Sequence, residues 1–216
     1  PRGAYAIEVR RLADGAPLLT FAHPPPHFFE VAAMADVLAS VCFSTYPVKN
    51  GARHGDPIAD RVYAQLYPSA TIAVVSDGCG WGVRAMEAAA NAERLVASRV
   101  FFRDGMTTRD LGRALVELFA DIHITNIREN KGSTTSAIVA TAQVEGGFFG
   151  IVLSVGDCST FLFRNATVVR LSGQVRRDMA EISNSRGRLG GRVAPELDES
   201  ELRGFACDEN DSILLM

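Results

Sequence analysis

"TIAVVSDGCGWG", residues 71–82, is an apolar run that stops at an acid and then dissolves into glycines. The run is short, rich in β-branched residues and bounded by turn formers, which predicts a buried strand over 71–76. It delivers one carboxylate, Asp77, to a corner that Gly78, Gly80 and Gly82 leave free to turn. Directly after it, "VRAMEAAANAERLVASRVFF" (83–102) has no Gly or Pro and is rich in alanine, so a helix is expected there.

A second helix follows. Thr107 with Asp110 three residues on has the form of a capping box. Leu111, Ala114, Leu115, Leu118, Phe119 and Ile122 then recur on one face, the core side of a helix packed antiparallel to the first. From 133 the period changes to that of strands: "STTSAIVATAQV", "GGFFGIVLSV", "STFLFR", "ATVVRL" and "SILLM". Strands, a helix pair and more strands is an α+β order, not the alternation of a doubly wound sheet. Residues 172–210, charged and glycine-bearing, read as a long surface excursion or flap. Upstream, 1–22 alternates weakly like a strand, "HPPPH" (23–27) breaks any element, and "FFEVAAMADVLASVCF" (28–43) reads as a helix. Residues 46–61 are loop-rich. Residues 1–50 thus form an N-terminal segment and 51–216 the main domain.

Composition excludes several classes. At 216 residues, 47% apolar and 22% charged, the chain has an ordinary globular make-up, and a net charge of −3 supplies no basic footprint for nucleic acid or an anionic membrane. No window approaches a spanning length of apolar residues. Cys42, Cys79, Cys158 and Cys207 are scattered without CxxC spacing, so neither a zinc knuckle nor a disulfide framework is suggested, and reduced thiols in the cytoplasm are expected. Pro1 and Met216, the latter inside an apolar run, read as cut edges.

The acids carry the chemistry. An aspartate at a strand end beside glycine can present its carboxylate and a neighbouring carbonyl to one hard cation. Asp77-Gly78 fits that pattern; "GDPIADR" adds Asp56 and Asp60, and "VLSVGDCSTFLF" adds Asp157 after another strand and glycine. The spacing from Asp60 to Asp77 allows a strand, a turn and a return strand, which would bring both acids to one hairpin edge. An aspartate at a turn also serves backbone hydrogen bonding, and spacing alone leaves both readings open. The glycine run does not make a nucleotide loop, because G-x-G-x-G is not the dinucleotide fingerprint and no GK[ST] follows. Cys79 has no visible histidine partner, and His23, His27, His54 and His123 have no assignable role.

Taken in order, these motifs resemble the PP2C (PPM-type) metal-dependent serine/threonine protein phosphatases. "VVSDGCGWG" is similar to that family's DG-x-G-G element, "GSTTSAIVA" (132–140) to its glycine-threonine strand, and "LSVGDCSTFLFR" (153–164) to its GDSR strand pair. "DENDSILLM" resembles the run into the strand that ends in Ser/Thr-Asp-Gly. The resemblance covers 55–216 and implies an αββα four-layer sandwich, two central sheets flanked by helix pairs. It implies two Mn²⁺ or Mg²⁺ ions, with a third bound more weakly, and a bridging water that attacks phosphorus in a phosphorylated protein substrate. Asp60 and Asp77 would be catalytic metal ligands, joined by the Gly78 carbonyl and by Asp157 at the third ion. Departures accompany the likeness. Gly55 stands where the family has a phosphate-clamping arginine, leaving Arg53 or His54 for that role, and GDCS replaces GDSR. The sequence stops at Met216, before the positions of the family's C-terminal acids. The resemblance thus implies a phosphatase or, in its degenerate form, an inactive pseudophosphatase that serves as a protein-binding or regulatory module.

Overall fold

A computed structural model describes residues 19–22, 48–49, 52–53, 57–67, 70–99, 102, 106–144, 147–173, 187–191, 199–208 and 210–216. The expected helix at 28–43, the "HPPPH" break and most of the N-terminal segment lie outside the described residues.

The chain is built on one large antiparallel sheet. Its path runs through β1 (Leu19–Ala22), β4 (Arg61–Leu66), β5 (Ala70–Gly78), β6 (Ser133–Val144), β7 (Gly147–Val155) and β11 (Glu201–Cys207). A two-stranded ribbon, β2 (Val48–Lys49) with β3 (Ala52–Arg53), precedes β4. The short β10 (Leu189–Gly190) pairs with β6 at Ser133 and Thr134, taking the place beside β6 where β7 has already ended. A second sheet, in the order β12 (Ser212–Leu215), β8 (Thr160–Arg164) and β9 (Thr167–Ser172), packs against β7 and β11.

Side-chain alternation explains why two layers cover the large sheet. Ile72, Val74, Ile138, Ala140, Ile151, Leu153 and Val155 face a core shared with the helices. Val152, one position out of phase, faces a second cluster with Leu162, Leu171 and Cys207. Strands covered on both faces read as unbroken apolar runs, which is why the first eight residues of β6 are all buried.

The two helices are α1 (Val83–Ala97) and α2 (Thr108–Arg128). In α1 a stripe of Ala85, Ala88, Ala89 and Ala92 is buried, and such small side chains let the helix sit close on β5 and β6. The helix stops at Ala97, five residues short of the sequence expectation, as Ser98 closes its last turn on the Arg94 carbonyl. The capping box of α2 forms as expected: Asp110 N–H donates to Thr107 Oγ1 and Thr107 N–H donates to Asp110 Oδ2. Leu115, Leu118, Phe119 and Ile122 are wholly buried, each contributing about 1.5–3 kcal/mol by removal from water. Cross-helix contacts of Lys131 with Glu87, Asn126 with Asn91 and Asp121 with Arg99 run in opposite chain directions, so the pair is antiparallel.

The excursion expected over 172–210 is corrected in part, since β10 and β11 lie within it. Both are strands that a neighbour recruits, and their own sequences carry little alternation. The observed class is α+β with two main antiparallel sheets, arranged as helices, large sheet and small sheet; these three layers are what the described residues build. Among the described residues no helix is long and apolar enough to cross a membrane.

Candidate metal centre

The acids gather at one end of the large sheet, and the β4–β5 hairpin sets them there. Arg61 pairs with Ser76 in that ladder, so the register carried one residue further places Asp60 opposite Asp77. Asp77 itself lies within β5, one position later than the expected strand end, and pairs with Thr135 on β6. Thr135 Oγ1 in turn donates to Asp157 Oδ1 at 3.2 Å. One step across each strand therefore links Asp60, Asp77, Thr135 and Asp157.

Backbone packing holds this end in place. A Cβ on Gly78 would lie 2.3 Å from the Ala85 carbonyl oxygen and 2.9 Å from the Ala59 side chain, so only glycine lets β5 meet the first turn of α1. Gly156, at φ +83°, turns the chain so tightly after β7 that a Cβ would fall 2.3 Å from the Thr135 methyl. That turn carries Asp157 back toward Thr135. Thr134 Oγ1 donates to the Asp77 carbonyl at 2.8 Å, and Cys79 N–H donates to the Ser133 carbonyl at 2.8 Å.

The thiol beneath the acids reports their charge. Cys158 is buried 3.4 Å from Thr135 Oγ1. Burial pushes its pKa up to about 12, the Thr135 hydrogen bond opposes the rise, and the charges of Asp77 and Asp157 add to it. Such a thiol stays protonated and inert.

Carboxylates and a strand-end carbonyl are the hard oxygen donors that Mg²⁺ and Mn²⁺ take, and Mg²⁺ in particular is held by one or two carboxylates with waters completing its shell. By donor chemistry, Asp60, Asp77 and the Gly78 carbonyl are groups that would suit an ion of that kind. Among the described residues no three His, Cys, Asp or Glu side chains come together as a metal-holding group. Arg53 lies in the β2–β3 ribbon, and His54 and Asp56 lie outside the described residues.

Sequence reasoning missed the polar anchor beneath this end. His123 is buried on α2, where its Nδ1 accepts from Gly190 N–H at 2.9 Å, and Asn126 donates to the Leu189 carbonyl at 3.4 Å. Together they dock β10 beside the start of β6. The signal in the sequence was polar residues interrupting the apolar stripe of α2.

No protein-family model matches the chain, and no curated protein matches it by sequence. Its fold is nevertheless shared with solved structures. A chain reported with the bacterial stressosome, a modular system adapted to control secondary messenger signalling, aligns with a TM-score of 0.54 at 18% identity, over 75% of this chain and 69% of that one. PppA, a key regulatory component of T6SS in Pseudomonas aeruginosa, aligns at 0.52 and 15% identity, over 67% of this chain and 64% of PppA. RsbX in complex with magnesium aligns at 0.51 and 14% identity, over 97% of this chain and 77% of RsbX. The likeness is one of fold alone. This chain thus spans a little under two thirds of PppA's length.

Proposed function

We propose that residues 51–216 are a PP2C-like domain with metal-dependent protein serine/threonine phosphatase activity, and that 1–50 packs on it. The strand β1, laid along β4, supports that packing. The single observation that carries the function is the β4–β5 register, which, carried one residue past Arg61, sets Asp60 opposite Asp77 at the sheet end where Thr135 also meets Asp157. In this reading Asp60, Asp77 and the Gly78 carbonyl hold Mn²⁺ or Mg²⁺, and Asp157 borders a further ion. Bound divalent ions there would lower the pKa of a water and offset charge on the phosphoryl oxygens.

The chain's own residues do the remaining work. Asp60 and Asp77 accept hydrogen bonds from the attacking water and orient it, Thr135 holds Asp157, and Arg53 or His54 receives the substrate phosphate. An arginine suits that last role, since its planar fork matches phosphate oxygens. The substrate class is a phosphorylated protein met in the cytoplasm. A second reading, an inactive phosphatase fold that binds a partner, is favoured by the missing third ligand among the described residues.

Hydrolysis of p-nitrophenyl phosphate by the full chain with added Mn²⁺, beside calorimetry of Mn²⁺ binding, tests both. Metal-dependent turnover that Asp77→Asn lowers sharply supports the enzyme. Binding without turnover supports the silent module, and no binding sinks the metal centre.

A further inference from the structure

Beside the acids, and facing the opposite side of the sheet, lies a charged pair that neither reading uses. Arg61 opens β4 and Glu93 sits on α1, with side chains only 11% and 7% exposed and Arg61 Nε 3.8 Å from Glu93 Oε2. The same guanidinium donates through Nη1 to the Ile58 carbonyl at 3.0 Å and to the Asp60 carbonyl at 2.8 Å. Arg61 therefore grips the main chain on both sides of Ala59, whose Cβ is itself packed near Gly78.

A buried ion pair is a poor way to gain stability. Taking two charges out of water costs about as much as their attraction returns, and well-packed apolar residues of similar volume serve as well or better. Burial alone draws the Arg61 guanidinium below its ordinary range, against the opposing charges of Glu93 and Asp60. The pair stands where the chain enters β4, directly before the register that sets Asp60 against Asp77.

We propose that Arg61, braced by Glu93, is a positioning residue that fixes the 58–60 main chain and so aims Asp60 at the site it shares with Asp77. Glu93 belongs to the helix that starts at the Asp77 corner, so both acids take their places from one rigid element, α1. The role given to Asp60 rests on the phosphatase reading; the tether of 58–60 does not.

The test separates aim from stability. In the full chain, Arg61→Met and Glu93→Met each leave a buried charge behind and lower Tm, whereas the double variant Arg61→Met/Glu93→Met removes both charges and keeps Tm near wild type. We expect the double variant to bind Mn²⁺ about 10-fold to 100-fold more weakly by calorimetry, the range found when groups that orient metal ligands are lost. Amides of 58–60 exchange faster in the same protein. Wild-type Mn²⁺ affinity and wild-type exchange in a double variant of native Tm would overturn the proposal. If wild-type protein binds no Mn²⁺, the phosphatase reading fails, and exchange at 58–60 decides the tether by itself. Should the double variant not fold, Arg61→Lys carries the same readouts, because one ammonium cannot reproduce the planar fork of a guanidinium.

Discussion

Two ends of the same fold hold aspartates in different ways. At the end away from the metal centre, a cleft of about 500 Å³ is lined by Gln143, Phe148, Arg164, Asn165, Asp208 and Asp211. There the Asp211 carboxylate is consumed by the fold: Arg164 Nε donates to it at 2.9 Å and Asp208 N–H at 2.8 Å. These bonds, that of Arg164 foremost, hold the Asp211 carboxyl below the usual carboxylate range. At the candidate metal-centre end the fold grips main chain as well, with Thr134 on the Asp77 carbonyl and Arg61 on the Asp60 carbonyl, beside the Thr135 bond to Asp157 Oδ1. There the main chain that carries Asp60 and Asp77 is held, and the two acids are aimed with it.

The sharpest way to break that comparison is to neutralise one acid at each end. Asp77→Asn should lower Mn²⁺-dependent kcat/KM on p-nitrophenyl phosphate by about 10²–10³-fold, the loss typical of removing one charge-stabilising group. Asp211→Asn should leave that rate near wild type and lower Tm. Equal rate losses would erase the distinction between the two ends.

Next in size is a packing test. Gly78→Ala drives a methyl into the Ala85 carbonyl, and overpacking of this kind costs about 1–3 kcal/mol, read by chemical denaturation. Retained stability would mean that α1 can retreat from β5 without penalty, and the shared frame of both acids would be lost with it.

Proton linkage gives the two smaller effects. Burial holds His123 below its ordinary pKa, and its neutral Nδ1 accepts the Gly190 N–H. As pH falls below about 6.5 the unfolded chain takes up a proton that the folded chain resists, so stability declines toward acid. His123→Gln should flatten that decline in Tm between neutral and mildly acidic pH. Asp211 has the same sign at lower pH: its contribution is present above about 3.9, the unfolded carboxylate value, and is lost as pH falls through the depressed folded value. Arg164→Met should remove this last and smallest slope, because Arg164 lies at the surface.

What the sequence made legible follows the range of the interactions involved. The strand at 133–144 and the capping box at Thr107 were both readable, since alternation and a three-residue spacing are local facts. The hairpin of Asp60 and Asp77 was readable from chain length alone. β11 was not, because "ELRGFAC" is an edge strand with exposed, charged positions. Its place is set by cross-strand fits in which the Phe205 ring covers Gly150 and the Phe149 ring covers Gly204, and pairs of that kind cannot be seen along one chain. The Arg61–Glu93 pair escaped for the same reason: each residue reads as an ordinary surface charge until α1 is laid on β4. The ligand count was expected from resemblance, and resemblance does not fix distances.

The antiparallel helix pair also has a meaning in time. β5 and β6 are neighbours in the sheet, but residues 79–132 separate Gly78 from Ser133, and closing so long a loop carries an entropic cost. The α1–α2 hairpin folds that interval back on itself, returning Gly132 N–H to the Arg84 carbonyl at 3.0 Å. Folding that begins with this hairpin brings the two strands together at their acid-bearing ends first and zips toward Ala70 and Ala142. In a φ-value analysis Leu115→Ala should then score high and Leu162→Ala low; the reverse order would show that the sheet nucleates without its helices.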